Sequence, residues 1–256
     1  MDSNSETFKI ETRHNSIELR RQRGRLELYS GDGALQSVIL LEQPHRLALK
    51  NLEYLASLLL FVPAPQRILL LGTAAGSLLH FLRYHYAAEI TAVDIDGELV
   101  EQLLQRQVLP PADTKLVYVY DDAAHFLAHC RERFDLVLVD IFAGAQTPRW
   151  LLDKHSLESI YRVLADGAGM GFNLLIDSTH DFSRFYRNLR LVCERQTLCT
   201  PVEGFANTIA FGFRGERPRR DLSWYLEQAQ MLSQRHGVNY LQALEALYTT
   251  NPDGAI

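Results

Sequence analysis

The stretch Arg67–Asp96, RILLLGTAAGSLLHFLRYHYAAEITAVDID, decides the fold. Its apolar run Ile68 to Leu71 reads as a central parallel strand, because a strand buried on both faces has no need of polar alternation. The Gly-Thr-Ala-Ala-Gly turn that follows, with Gly72 and Gly76, lets the backbone pass close beneath a ligand at the N-terminus of the next helix. A second strand then closes on Asp94 and Asp96. An acid roughly 20 residues beyond the glycine turn stands where ribose hydroxyls are held in nucleotide-binding folds. The glycine spacing is G-x-x-x-G rather than G-x-G-x-x-G, so the second glycine that admits a dinucleotide pyrophosphate is missing. That favours a ligand of the adenosyl-thioether kind over NAD.

Downstream, strand and helix patterns alternate. Ile90 to Val93, Leu116 to Val119, Leu136 to Asp140 and Gly167 to Leu174 read as strands, with helices near 97–105, 121–131, 156–164 and 178–188. This order implies an α/β fold with a doubly wound, mostly parallel sheet. Arg195 to Cys199 and Asn207 to Phe213 have no helix between them and are expected to pair antiparallel at one sheet edge, the arrangement of the class I adenosylmethionine-dependent transferase type. Upstream, Ile17 to Arg20, Arg25 to Tyr29 and Leu35 to Leu41 are strand-like, the last two joined by the hairpin signal Gly31-Asp32-Gly33. Leu47 to Leu60 carries helical spacing and is ended by Pro63 and Pro65. Leu222 to Tyr248 reads as two amphipathic helices behind the linker Arg214 to Arg220. The expected organisation is therefore an N-terminal β-hairpin segment with a linking helix (1–64), a Rossmann-like nucleoside-binding domain (65–214) and a C-terminal helical extension (215–256).

Composition narrows the function class. The chain has 256 residues, 47% of them apolar, which suits one large α/β domain with additions. A net charge of −5 argues against a nucleic-acid surface. Cys130, Cys193 and Cys199 are too few and too irregular for a disulfide framework or a zinc cluster. The polar start MDSNSETFKIETRH shows no signal peptide, and runs such as Leu55 to Val62 are too short to span a bilayer. A cytoplasmic protein with no membrane partner is the expectation.

Ligands of open parallel sheets sit at the carboxyl ends of the strands, and the polar residues fall there. Gly72 and Gly76 follow the first core strand, Asp94 and Asp96 end the second, Asp121 and Asp122 follow the third, and Asp140 ends the fourth. Asp94 sits at the offset for ribose, while Asp96 is better placed as a helix cap. Asp121 reads equally as a cap or a ligand contact, and Asp122 as a cap or an acceptor for an adenine amine. Asp140, opening a loop with Gly144 and Pro148, is the candidate to take or orient a proton from an attacking amine; its alternative role is to cap that loop. Phe142 and Trp150 read either as walls of the cleft or as packing. His125 and His129 have the i, i+4 spacing of a zinc pair, but no third ligand is evident, so no metal is expected. Arg83, Tyr84 and His85, and the cluster Arg214, Arg217, Arg219 and Arg220, read as solvated faces.

The run from Gln36-Ser37 through RILLLGTAAGSLLHFL, AVDID, YDDAAHFL and DLVLVDIFAG to Asn207-Thr-Ile-Ala-Phe resembles the spermidine synthase (polyamine aminopropyltransferase) family, in particular its shorter, divergent bacterial members. The resemblance covers most of residues 25 to 213. It implies aminopropyl transfer from decarboxylated S-adenosylmethionine to a diamine and, by family analogy, a homodimer; nothing in the sequence itself calls for a tightly bound cofactor. It also implies that Asp94 holds the ribose, Asp122 lies beside the adenine and Asp140 assists amine deprotonation. The departures are specific. Ala75 replaces the family's acid in the glycine turn, and Ala143 replaces a second acid three residues after Asp140. The family's tyrosine-histidine-glutamate group falls on Lys50, Asn51 and Leu52, or with a one-residue shift reaches Glu53. An organic dication needs several carboxylates to offset desolvation, so polyamine synthesis is expected to be impaired. The alternatives are methyl transfer from S-adenosylmethionine to a small acceptor, and a non-catalytic relative that acts as a binding module.

Overall fold

The computed structural model describes residues 6–144, 146–216 and 220–251. Its centre is a seven-stranded sheet in the order β10-β11-β9-β8-β5-β6-β7. These strands are β5 (Arg67–Leu71), β6 (Glu89–Asp94), β7 (Leu116–Tyr120), β8 (Phe134–Val139), β9 (Leu164–Leu174), β10 (Thr197–Pro201) and β11 (Thr208–Phe213). β9, β8, β5, β6 and β7 run parallel, whereas β11 pairs antiparallel with β9 and β10 with β11. The strand order reverses between β5 and β8, which is where ligands of open sheets bind.

The apolar strands feed two cores, one on each face. Ile68 and Leu70 point into one, Leu69 and Leu71 into the other, as the two-residue period of a strand requires. Helices α2 (Ser77–His85) and α3 (Gly97–Gln105) cover the first face. Helices α4 (Ala123–His129), α5 (Lys154–Arg162) and α6 (Thr179–Val192) cover the second. Asp96 caps α3 by accepting from Leu99 N–H (3.0 Å), and Asp122 caps α4 by accepting from the N–H groups of Ala124 and His125 (2.8 and 3.1 Å). The Asp122 cap sets the start of α4 later than the sequence pattern suggests, at Ala123.

A separate four-stranded meander precedes this domain: β1 (Glu6–Glu11), β2 (Ser16–Gln22), β3 (Arg25–Ser30) and β4 (Leu35–Leu40). β1 is invisible in the sequence because only Ile10 of its six residues is buried, so no alternation marks it. The Gly31-Asp32-Gly33 hairpin forms as expected, with Asp32 Oδ1 accepting from Ser30 Oγ (2.5 Å) and Ala34 N–H (3.2 Å). The sheet is pinned to the N-terminus of α2 by Ser77 Oγ, which lies 2.8 Å from Ser37 Oγ and donates to Val38 O (2.9 Å). The expected single helix over 47–60 divides into α1 (Lys50–Ala56) and a 3-10 turn (Ser57–Leu60). Ser57 Oγ donates back to Tyr54 O (2.6 Å), a bond that competes with regular helix at that point.

The C-terminal extension is a pair of helices, α7 (Leu222–His236) and α8 (Tyr240–Thr250), separated by Gly237 in the left-handed conformation. His85, expected on a solvated face, is buried: it stacks beside His236 of α7 with ring centroids 4.4 Å apart. Both imidazoles have a buried Nε2 without a hydrogen-bond partner, and burial depresses them to about 4 for His85 and about 3 for His236. Of the basic cluster, Arg214 pairs with Asp166 (3.0 Å) and Arg220 lies over the Trp224 ring; Arg217 and Arg219 lie outside the described residues. No helix among the described residues is long and apolar enough to cross a membrane.

Candidate functional site

The carboxyl ends of β8, β5, β6 and β7 open into a cavity of about 380 Å³, a size at which small-molecule sites are usual. A larger groove of about 580 Å³ lies between α7 and α8, but Leu222, Leu226, Leu241 and Tyr248 dominate its walls and no strand end reaches it. The smaller cavity is therefore the candidate site. Gly72, Asp94, Asp121, Asp122, Asp140, Phe142 and Trp150 all line it, so residues up to 78 positions apart in sequence converge there.

Gly72 makes the convergence sterically possible. Its N–H donates to Val93 O (2.9 Å) while Asp140 N–H donates to Leu71 O (2.9 Å), which draws the ends of β5, β6 and β8 together. A Cβ on Gly72 would fall onto the Asp140 carbonyl, 2.9 Å from its carbon, and its φ of 89° is in the left-handed region. Gly76, expected beside the ligand, is not part of the cavity wall. It is glycine because its φ is 88° and a Cβ there would run into the Leu109 side chain.

Of the four lining aspartates, Asp94 accepts the most hydrogen bonds. Its Oδ2 accepts from Thr73 N–H (2.8 Å) and Thr73 Oγ1 (2.7 Å), and its Oδ1 accepts from Asp96 N–H (2.9 Å). An ionised carboxylate has about four acceptor positions, so Oδ1 retains room for one donor from a ligand. Asp121 Oδ2 sits 2.7 Å from His125 Nδ1. His129 Nδ1 lies 2.8 Å from the His125 carbonyl oxygen, so the imidazole pair is occupied by its own helix. No group of three or more His, Cys, Asp or Glu able to hold a metal exists among the described residues.

Asp140 is half-buried, its open side facing the cavity. Desolvation pushes its carboxyl up to about 6, against the opposing effect of a hydrogen bond from Asn173 Nδ2 (2.8 Å). That bond fixes an amide relay. A carboxylate can only accept, so Asn173 must present its NH₂, and its Oδ1 then accepts from Asn207 Nδ2 (2.9 Å). Sequence reasoning did not single out Asn173 as a site residue. It is the penultimate residue of β9, at the same carboxyl rim as the aspartates of the neighbouring strands, and that position is the signal for it.

The N-terminal sheet supplies the remaining wall through Asn15, Ile17, Leu28, Ser30 and Gln36, a contribution with no signal in the sequence. Asp96 ties that sheet to the domain. Fully buried, it accepts from Thr12 Oγ1 (2.6 Å) and Asn15 Nδ2 (2.7 Å) on Oδ2 while Oδ1 caps α3. Ala75 and Lys50 lie elsewhere: Ala75 is fully buried, and Lys50 pairs with Glu203 (2.8 Å) outside the cavity. Ala143 does line the cavity. Among the described residues, the lining contains four aspartates and no Lys, Arg or His.

A family model described as the spermine/spermidine synthase domain matches residues 52–180, half of the chain. The polyamine aminopropyltransferase of Neisseria meningitidis serogroup B is 25% identical over 228 residues, covering 88% of this chain and 86% of that protein. The enzyme of the same description from Chromobacterium violaceum is 24% identical over 240 residues, covering 93% and 92%. Among solved structures, a probable spermidine synthase from Corynebacterium glutamicum matches with a TM-score of 0.76 over 96% of each chain at 20% identity. Human methyltransferase-like protein 13 in complex with SAH matches with a TM-score of 0.63 over 73% of this chain and 89% of that one, also at 20% identity. These structural likenesses show a shared fold. With the family model spanning the strand ends that build the cavity, the chain belongs to the spermine/spermidine synthase family.

Proposed function

We propose that the chain binds an adenosyl sulfonium in this cavity and transfers an alkyl group from its sulfur to an amine, an aminopropyltransferase-like reaction. Decarboxylated S-adenosylmethionine is the co-substrate and methylthioadenosine the released thioether. The observation that carries the reading is the row of carboxylates from Asp121 and Asp122 at β7 through Asp94 at β6 to Asp140 at β8, unaccompanied by any cation among the described residues of the lining. Neighbouring strands lie about 4.8 Å apart, so β7 to β8 spans roughly 14 Å, enough for a purine, a ribose and a sulfur-borne chain in line. In this reading the open acceptor position of Asp94 Oδ1 takes a ribose hydroxyl. Asp121 and Asp122 flank the purine, and the exposed side chain of Ile95 covers its face. Asp140, ionised above about pH 6, holds the acceptor's nitrogen and removes its proton. The sulfonium brings its own activation, so the protein has chiefly to align and deprotonate.

Methyl transfer from S-adenosylmethionine is the second reading, favoured by Ala75, whose burial leaves no acid there to face an aminopropyl ammonium. The absence of Lys, Arg and His among the described lining residues weighs against it, because the methionine carboxylate then meets aspartates without a cation. Calorimetry with methylthioadenosine, S-adenosylmethionine and its decarboxylated form tests both. The expected order is decarboxylated over carboxylated donor; the reverse order supports methyl transfer, and no binding of any of the three refutes the nucleoside site. Binding without turnover, unchanged in Asp140→Asn, marks a non-catalytic relative. The unbridged thiols of Cys130, Cys193 and Cys199 suit a reducing compartment such as the cytoplasm.

A further inference from the structure

Past Asp140, the cavity is walled by Ile17 and Leu28 from the N-terminal sheet and by Phe142, Ala143, Pro148 and Trp150 from the loop after β8. None of the four lining aspartates comes from either segment; all sit at or just after the ends of β6, β7 and β8. The polar side chains on this wall are neutral and already engaged with one another. Gln36 Nε2 donates to Ser30 Oγ (3.2 Å) and to Gly144 O (3.3 Å), and Ser30 Oγ donates to Asp32 Oδ1 (2.5 Å). A carboxylate does stand at the rim: Asp32 Oδ2 lies 3.5 Å from where a Cβ on Gly144 would project. Asp32 is exposed, however, and an exposed ion pair discriminates by about fivefold at most.

We infer that the acceptor is a monoamine carrying an apolar alkyl or aryl tail, not a diamine. The inference rests on the transferase reading of the same cavity. One ammonium meets Asp140, and the hydrocarbon then lies against Phe142, Trp150, Ile17 and Leu28, where apolar contact is favourable. A second ammonium in that space is desolvated with no opposite charge in the wall, the costly arrangement for a buried ion. In the transfer, the nitrogen lone pair attacks the carbon bonded to the donor's sulfonium sulfur. The Asp140 carboxylate first takes one proton from the ammonium, which frees that lone pair; the C–N bond then forms as the C–S bond breaks, sulfur keeps the electron pair and departs as a neutral thioether, and the product nitrogen carries the positive charge as a secondary ammonium.

The test uses the full chain with decarboxylated S-adenosylmethionine and, in parallel, S-adenosylmethionine. Methylthioadenosine or adenosylhomocysteine release and product mass are followed for n-butylamine, n-hexylamine, phenethylamine and 1,4-diaminobutane. The expected result is a kcat/KM for n-hexylamine and phenethylamine at least about tenfold above that for the diamine, the scale on which an apolar pocket discriminates. Ala143→Asp, at an exposed position of the wall, should raise the diamine relative to the monoamines by about three- to fivefold, without a packing change that threatens the fold. Equal or preferred use of the diamine by the unmodified chain overturns the inference. So does a loss of more than tenfold for the diamine alone in Asp32→Asn, which would make the rim acid a true second site. Thioether release with none of the four amines, while methylthioadenosine still binds, overturns the acceptor class but leaves the nucleoside site standing. Failure of methylthioadenosine to bind removes both.

Discussion

Replacing Asn173 by leucine removes the hydrogen bond that Asp140 Oδ1 accepts from Asn173 Nδ2 at 2.8 Å, the influence that holds this carboxyl down against desolvation. A hydrogen bond to a charged acceptor contributes about 1.5–3 kcal/mol, and each pH unit of a pKa corresponds to about 1.4 kcal/mol. The Asp140 carboxyl, already at about 6, should therefore titrate about one to two pH units higher in Asn173→Leu. The acid limb of a pH profile of kcat/KM reports the free enzyme's base and should move by that amount. A ¹³C NMR titration of the aspartate carboxyls, with Asp140 assigned by its loss in Asp140→Asn, reads the same shift without turnover. Asn207→Leu makes a control of graded severity: it keeps the 2.8 Å bond but frees the amide that Asn207 orients, and should move the titration by less than half as much. An Asp140 titration unchanged near 6 in Asn173→Leu would refute the relay, and with it the view that Asn173 sets the working charge of the base.

The remaining predictions concern stability. Asp140 is raised from 3.8 to about 6 in the folded chain, so the folded state binds the extra proton between these values, and its favourable contribution at low pH is lost as pH rises through 6. Asp140→Asn should consequently stabilise the fold above pH 6, by about 3 kcal/mol in urea denaturation, and give little gain at pH 4. His85 and His236 are depressed from 6.5 to about 4 and about 3, so here the unfolded state binds the protons, and stability falls as pH drops below 6.5 toward those values. A His85→Phe, His236→Phe double variant should flatten that acid limb, and an unchanged slope in a pH series of melting temperatures would contradict it. Gly72→Ala should cost about 2–5 kcal/mol and abolish methylthioadenosine binding, since backbone at Asp140 cannot yield. Gly76→Ala meets only the end of the Leu109 side chain and should destabilise while retaining most of the affinity, as calorimetry would show.

Much of this site is legible in the sequence because it obeys a local rule: strand, then small or acidic residue, at four successive strand ends. Gly72, Asp94, Asp121, Asp122 and Asp140 could be found that way because each position depends only on its own strand. Gly76 shares the glycine signature but answers to a packing neighbour, Leu109, that lies 33 residues away and has no pattern to announce it. Whether Asp122 caps or binds is likewise a false choice at the sequence level; the cap uses Oδ1, leaving the second oxygen out of the helix. His85 looked solvated because its helix face is completed by α7, about 150 residues downstream, and no helical periodicity within α2 records that. The N-terminal sheet's share of the cavity was equally hidden, since it depends on how two separate sheets dock.

That docking has a consequence for how selectivity can change over time. Buried Asp96 fastens the turn between β1 and β2 through Thr12 and Asn15 while Asp94, two residues earlier, is held by Thr73 and the Asp96 amide. The fastening and Asp94 thus share one hydrogen-bonded corner, whereas Ile17, Leu28 and Ser30 project from strands beyond it. Substitutions at those three positions can reshape the far half of the chamber while the Asp94 corner keeps its geometry, so that the two halves of the wall are free to diverge in sequence independently.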